Sequence, residues 1–429
     1  MDYQQAIHYL FNKLPVFSRI GAAAYKKDLT NTLALCHSIG DPQEKFRAVH
    51  IAGTNGKGST SHMLAAIFQA AGYKTGLYTS PHLKDFRERI RINGEMVRED
   101  FVVDFVQRIH ELSEEIEPSF FEVTVAMAFE YFATEQVDIA IIEVGLGGRL
   151  DSTNIIRPEL SVITNIGYDH MSLLGDTLDK IAFEKAGIIK YRTPVVVGES
   201  HLGTQLVFEE VAAGAQAPLY FADRIRFIGD WRFEHRHLVA EVTTADSIDK
   251  EYYELDLPGI YQTKNLVTVL EAVRILQDRG WNISRQHVQK ALKQVRKTTG
   301  LHGRWEIIRE HPTIALDVAH NEDGIRSLVR QIELTDHEEL HIVFGMVRDK
   351  ETDRVLALLP KQANYYFTRA QIPRALPEDQ LADKAQSLGL KGRSYPTVAE
   401  ALRAAQSHAG PRDLIVVCGS VFIVGEVEV

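Results

Sequence analysis

The chain has 429 residues, 45% apolar and 25% charged, which is long for a single hydrophobic core and comfortable for two soluble globular domains. With 58 acidic against 48 basic side chains the formal net charge is −10, which argues against a global nucleic-acid-binding surface, so any anionic substrate must be held by local positive groups. Cys36 and Cys418 stand far apart without metal-type spacing and read as reduced thiols.

The first residues, Met1 to Leu14, carry Asp2, His8 and Lys13 and lack a secretory hydrophobic stretch. No apolar run reaches the roughly 20 residues of a membrane span. A cytoplasmic protein with no membrane partner is expected. Apolar strand patterns then alternate with helical ones. Residues 47–51 run into a glycine-rich turn, 59–71 have helical spacing, and 74–78 read as the next strand, ending at Thr79-Ser80-Pro81. The stretch 89–95 alternates into Asn93-Gly94, a hairpin signal. Helical periodicity covers 99–115 and 122–134, and buried strands are predicted over 137–144 and 160–164. This βαβ rhythm predicts a parallel sheet covered by helices.

From about 225 to 257 polar and apolar residues alternate between turns, which predicts a small antiparallel flank. Helices are predicted over 262–279 and 284–297. The polar, glycine-bearing segment Thr298–Arg304 reads as a linker. Strand patterns at 313–316, 341–344, 365–368 and 414–417, separated by helical ones, predict a second, smaller α/β domain. The expected division is 1–297, 298–304 and 305–429.

Four groups of residues carry chemistry. Gly53-Thr54-Asn55-Gly56-Lys57-Gly58-Ser59-Thr60 lies between a strand and a helix. Glycines there let backbone N–H groups face a phosphate chain, the helix N-terminus adds a favourable dipole, and Lys57 can neutralise β/γ-phosphates. The match to G-x-x-x-x-G-K-[ST] is imperfect, because Ile51 replaces the first glycine and Gly58 separates Lys57 from Ser59. Next, the apolar run 137–144 ends in Glu143 beside Gly145-Leu146-Gly147-Gly148, as a magnesium-binding acid of a phosphate-loop enzyme does. Third come Tyr168-Asp169-His170 after a strand and Glu184-Lys185-Ala186-Gly187 on a helix; either His170 or Lys185 alone would be unremarkable. Last, Asp317-Val318-Ala319-His320-Asn321 stands at a strand end opening a helix. Asn321 fits a helix cap, which leaves Asp317 and His320 unexplained.

Taken in order with Thr79-Ser80-Pro81-His82-Leu83, Glu88-Arg89-Ile90, Leu301-His302-Gly303-Arg304-Trp305-Glu306 and Gly419-Ser420, these motifs resemble the folylpolyglutamate synthase/dihydrofolate synthase family of the Mur ligase superfamily, over essentially the whole chain. The resemblance implies a P-loop, Mur-ligase-like parallel-sheet ATPase domain with a small antiparallel flank, plus a smaller Rossmann-like α/β C-terminal domain. It implies an ATP- and Mg²⁺-dependent ligase that adds L-glutamate to dihydropteroate or to the glutamate tail of reduced folates through an acyl phosphate. ATP would be held by Gly53, Thr54, Asn55, Gly56, Lys57, Gly58, Ser59 and Thr60 with Asn265, Arg304 and Asp317. Ser80, Glu143 and His170 would hold magnesium, and Lys185, as a carbamate, would lie near a second magnesium. Pro81, His82, Arg89 and Phe121 would line the acceptor site, with His320 and Ser420 for the incoming glutamate. The implied catalytic residues are Lys57, Lys185, Asp317 and His320, in an enzyme expected to be a monomer that binds no nucleic acid. Two alternatives stay open: a related ligase acting on a cell-wall muropeptide precursor, and a P-loop ATPase that drives a partner.

Overall fold

Strand β1 (Ala48–Ala52) is buried along its whole length, including His50, as a strand covered on both faces must be. It sits inside an eight-stranded sheet with β2 (Thr75–Tyr78), β3 (Ile90–Ile92), β4 (Glu95–Met96), β5 (Ile139–Glu143), β6 (Leu160–Ile163), β7 (Val195–Val197) and β8 (Leu219–Phe221). The spatial order is β4-β3-β2-β5-β1-β6-β7-β8, parallel except where β3 and β4 turn back as a hairpin. At the turn of that hairpin Asn93 and Gly94 have φ of 50° and 85°, the left-handed pair that the Asn-Gly signal predicts. A Cβ on Gly94 would also lie 2.2 Å from the Thr298 carbonyl oxygen.

The computed structural model describes residues 1–24, 26–348 and 351–428. They divide into two compact units, Met1–Asp256 with Gln262–Leu301, and Leu257–Tyr261 with His302–Val429. In the first, β5 and β6 flank β1 on opposite sides, so successive connections leave the carboxyl ends of β1, β5 and β6 in different directions. In open α/β sheets that arrangement opens a crevice at those ends. The helices Lys57–Ala70 and Phe120–Thr134 bury most of their residues. The flank predicted from alternation is a separate antiparallel sheet of β9 (Arg226–Glu234), β10 (His237–Thr244) and β11 (Ser247–Leu255), with β10 central.

One predicted helix is broken. Residues 284–297 form two helices, Arg285–Leu292 and Val295–Thr299. The interruption is stitched by Asp256, whose N–H donates to the Leu292 carbonyl (3.1 Å) and whose carboxylate accepts from the Arg296 N–H (2.9 Å). An acid just past the end of β11 thus takes up the backbone groups that a continuous helix would have paired internally.

The second unit holds a six-stranded sheet of β12 (Glu306–Glu310), β13 (Thr313–Leu316), β14 (Leu340–Phe344), β15 (Asn364–Thr368), β16 (Gly392–Tyr395) and β17 (Leu414–Cys418), ordered β12-β13-β17-β14-β15-β16. All neighbours are parallel except β12 and β13. Both units are therefore α/β. Cys36 and Cys418 are free and buried. Among the described residues no helix is long and apolar enough to cross a membrane.

Candidate active site

The turn after β1 is a positive concavity built by backbone. Gly53 and Gly56 have φ of 146° and 86°; a Cβ would lie 1.8 Å from Thr164 Oγ1 at the first and 2.3 Å from Asn265 Oδ1 at the second. Only glycine fits either place. The turn is tied to the end of β6: Thr54 N–H donates to the Asn165 carbonyl (3.0 Å), Asn55 N–H to Asn165 Oδ1 (2.9 Å), and Thr164 Oγ1 to the Asn55 carbonyl (2.6 Å). Gly56 caps the 14-residue helix that starts at Lys57, so the positive end of the helix dipole opens into the turn. Lys57 Nζ folds back onto the Gly53 and Thr54 carbonyls (3.0 and 3.1 Å). The Thr60 hydroxyl, fully buried in the first turn of that helix, has no hydrogen-bond partner. A phosphate chain fits this donor set. Asn265, a member of helix Gln262–Asp278, donates to Gln262 Oε1 (2.8 Å), and Gln262 Nε2 donates to Ser59 Oγ (3.1 Å).

Lys185 is the second cation at this turn. It lies near the end of helix Leu178–Ala186, is 4% exposed, and donates to the Gly53 carbonyl at 2.8 Å. Burial first, and the Lys57 ammonium second, lower its pKa to about 7, against the opposing fields of Asp169 and Asp151. An amine neutral near pH 7 can react with CO₂, so the position fits a carbamate. The N–H of His170, whose φ is 51°, donates to Asp169 Oδ1 (2.8 Å), and its ring nitrogen Nε2 lies 3.7 Å from the same oxygen.

Glu143 ends β5 beside β1, with Ile51 as its register partner. It is 4% exposed, and its Oε2 accepts from the Ser80 N–H at 3.1 Å, so these two predicted metal-holding residues meet. A carboxylate at this strand end offers the hard oxygen atoms that a divalent cation takes. The segment after Ser80 bears an exposed Pro81, and a half-buried His82 whose Nδ1 accepts from Arg89 Nε (2.8 Å). Burial and the Arg89 charge hold the His82 imidazole neutral. Phe121 packs against Gly145, where a Cβ would lie 2.4 Å from its Cζ, and 6.2 Å from the Tyr78 ring.

In the second unit Asp317, at the end of β13, is 3% exposed and accepts three hydrogen bonds: from Tyr261 Oη (2.6 Å), Trp305 N–H (3.0 Å) and Ala319 N–H (2.9 Å). Burial raises its pKa, while these donors and the Arg304 charge oppose the rise. His320 Nδ1 bonds the Val318 carbonyl (2.9 Å) rather than Asp317. Asn321 caps helix Glu322–Glu333 and Ser420 caps the short helix Val421–Gly425. The Gly419 N–H donates to the Ala319 carbonyl (3.0 Å), which joins the Asp317–His320 turn to Ser420.

Four participants escaped the sequence reading as individual residues: Asp169 beside Lys185 and His170, Gln262 beneath the phosphate turn, Tyr261 on Asp317, and Asp151. Asp151 accepts from Leu146 N–H (2.8 Å) and Thr153 N–H (3.0 Å), and His50 Nε2 reaches the same Thr153 through its hydroxyl (2.8 Å). No local periodicity announces such contacts; Asp151, closing the glycine run 145–148, and Asp169, inside Tyr168-Asp169-His170, stood in motifs without a role of their own.

Residues 51–273 match the Mur ligase middle domain and residues 303–421 the Mur ligase glutamate ligase domain. The chain is 31% identical to a Bacillus subtilis dihydrofolate synthase/folylpolyglutamate synthase, over 99% of this chain and 98% of that one. It is equally similar, at 31% over 99% of its length, to a Haloferax volcanii probable bifunctional folylpolyglutamate synthase/dihydropteroate synthase, of which it spans 50%. Among solved structures, E. coli FolC in complex with DHPP and ADP superposes with a TM-score of 0.84 at 30% identity, covering 99% of this chain and 96% of that one. A bifunctional folylpolyglutamate synthase/dihydrofolate synthase with Mn, AMPPNP and L-glutamate bound gives a TM-score of 0.83 at 28% identity, covering 99% and 97%. The muropeptide alternative is not favoured. The chain belongs to the folylpolyglutamate synthase/dihydrofolate synthase family of Mur ligases.

Proposed function

We propose that this protein uses ATP and a divalent metal to join L-glutamate to dihydropteroate, to the glutamate tail of a reduced folate, or to both. The observation that carries the proposal is the meeting of Lys57 and Lys185 on one carbonyl of the phosphate turn, in a chain whose relatives include structures with nucleotide, metal and glutamate bound. In this reading residues 1–297 form the ATP-binding domain, 298–304 the linker and 305–429 the ligase domain, and the enzyme acts as a cytoplasmic monomer.

A carboxylate is a poor electrophile, and bringing it to a γ-phosphate sets two anions together. Lys57, the backbone N–H groups where the helix begins (Gly56, Gly58 and Ser59) and the helix dipole hold the phosphates and draw charge from the transferring group. Asn265 and Arg304 hold the remainder of the nucleotide with Asp317. Ser80, Glu143 and His170 would hold one metal ion, and Lys185 as a carbamate a second. A bound divalent metal supplies positive charge that offsets the repulsion between carboxylate and phosphate. Pro81, His82, Arg89 and Phe121 seat the acceptor. The acceptor carboxylate takes the γ-phosphoryl group and ADP leaves. The neutral amine of glutamate, held near His320 and Ser420, attacks the acyl carbon and expels phosphate.

The test is ADP release by the purified protein with ATP, Mg²⁺ and glutamate, comparing dihydropteroate, tetrahydrofolate and no acceptor. Turnover with both acceptors makes the enzyme bifunctional, and turnover with tetrahydrofolate alone restricts it to tail extension. Silence with both, from folded protein that binds ATP, sinks the folate reading and calls for muropeptide acceptors. Full-rate turnover without acceptor and glutamate revives the partner-driving ATPase.

A further inference from the structure

Arg89 is a buried cation placed by backbone pairing. The hairpin sets Tyr78 opposite Ile90, and the Thr79 N–H donates to the Arg89 carbonyl at 3.0 Å. On its other side β2 pairs with β5, with Tyr78 opposite Ile142, one residue before Glu143. Arg89 thus stands at the carboxyl edge of the sheet, beside the strand ends that lead to Ser80 and Glu143. It is 7% exposed, and its guanidinium carbon lies 5.1 Å from the centre of the Phe120 ring, near the Tyr78 hydroxyl.

Among the described residues no carboxylate forms an ion pair with it. Glu143 and Glu88 act on Arg89 only through their fields. The Glu88 oxygens are taken by the N–H groups of Leu83, Lys84 and Asp85, at 2.8, 3.0 and 2.9 Å. The contrast with Arg87 is direct: two residues earlier and less buried, it pairs with Asp85 (2.8 Å) and Glu99 (3.0 Å). A buried guanidinium without a paired anion is costly, and its planar fork matches a carboxylate. His82 Nδ1 accepts from Nε (2.8 Å), which fixes the plane of the fork; the Tyr78 hydroxyl engages the guanidinium as well, and neither of these partners carries the negative charge that the fork would pair with.

We propose that Arg89 is the receptor for the acceptor's reacting carboxylate, and that His82 is the positioning residue that aims it. This rests on the folate-acceptor reading above and specifies which group of the acceptor meets which side chain.

The test is titration calorimetry of the full chain, in the presence of ADP, with dihydropteroate and with its carboxamide analogue, which keeps the shape and removes the charge. The wild-type protein is expected to bind the acid at least about 30-fold tighter than the amide, the lower bound for a buried charge pair that loses one partner. Arg89→Gln should lose that factor for the acid and leave the affinities for the amide and for ADP unchanged. Arg89→Lys, which keeps charge without the fork, should fall between. His82→Phe should weaken the acid selectively, and His82→Gln, which retains an acceptor, should restore it.

Wild-type protein that binds amide and acid equally overturns the assignment without recourse to any variant. So does an Arg89→Gln protein that weakens both compounds alike, or one that loses ADP affinity, which would place a phosphate on Arg89 instead. Failure of His82→Gln to rescue removes the positioning role. If wild-type protein binds ADP but neither pterin compound, the folate-acceptor reading itself fails and takes this assignment with it.

Discussion

The side-chain ammonium groups of Lys57 and Lys185 donate to the same backbone carbonyl, that of Gly53, at 3.0 and 2.8 Å. Two cations 128 positions apart in sequence (185 minus 57) therefore meet at the turn that the glycines shape. Burial acts first on Lys185 and the Lys57 charge second, and its pKa falls to about 7.

That shift has a pH signature. In the unfolded chain a lysine keeps its proton to about pH 10.4, whereas folded Lys185 releases it near 7. Between those values the unfolded chain holds one proton more, so this residue's contribution makes stability rise with pH across that window. Below about pH 7 both states are protonated and the cost of burying the charge is at its full size. Denaturation in CO₂-free buffer should find Lys185→Met more stable than wild type at pH 6, by an amount of order a few kcal/mol. The gap should shrink steadily toward pH 10. A gap independent of pH would contradict the shift. In the same proposal, removing CO₂ lowers wild-type activity and bicarbonate restores it, and Lys185→Met responds to neither.

Glu143→Gln keeps the shape of the side chain and an oxygen for the Ser80 N–H, while removing the buried charge. Thermal unfolding should be little altered or slightly favourable, because a buried carboxylate is relieved. Ligase activity should fall by at least about 10²-fold, the scale for losing one electrostatic stabiliser. Divalent-metal binding, followed by calorimetry with Mn²⁺, should weaken in parallel. Unchanged metal binding would remove Glu143 from the metal site.

At Gly56 two obstacles can be separated. Gly56→Ala meets both a φ of 86° and Asn265 Oδ1 at 2.3 Å from its new Cβ. It should cost about 1–2 kcal/mol in backbone strain, plus the displacement of Asn265. Pairing it with Asn265→Ala removes the clash and leaves the strain. Nucleotide affinity, read by ADP titration, should fall most in Gly56→Ala, and the two single changes should add to more than the double. Simple additivity would mean that Asn265 and the turn are not in contact in solution.

Tyr261→Phe deletes one of the three donors to the buried Asp317 carboxylate. Chemical denaturation should show a loss of about 1–3 kcal/mol, the range for a buried acceptor left short of a partner. Asp317→Asn should cost more, because its amide group has to face N–H donors. If Tyr261→Phe is neutral, the Asp317 carboxylate has an equally good donor elsewhere.

Much of this was legible in the chain because the relevant signals are local. The glycine turn, the acid ending β5, the Asn-Gly hairpin and the antiparallel flank each show in a window of about a dozen residues. What the sequence did not disclose depends on long-range pairing. The break between Leu292 and Val295 follows from Asp256, and the assembly around Asp317 from Tyr261, 56 residues earlier. Asp151 and Asp169 gain meaning only when the helix bearing Lys185 packs beside them. The wiring of Gln262 to Ser59, across 203 residues, has no sequence signature.

The most direct test of the account follows oxygen. The acceptor, labelled with ¹⁸O in its carboxylate, is incubated with the enzyme, ATP, Mg²⁺ and glutamate, and the inorganic phosphate is analysed by mass spectrometry. If the carboxylate is activated as an acyl phosphate, one ¹⁸O passes to phosphate for each amide bond formed. Phosphate that carries no label while amide accumulates, or ATP consumption that proceeds equally without acceptor, would contradict it.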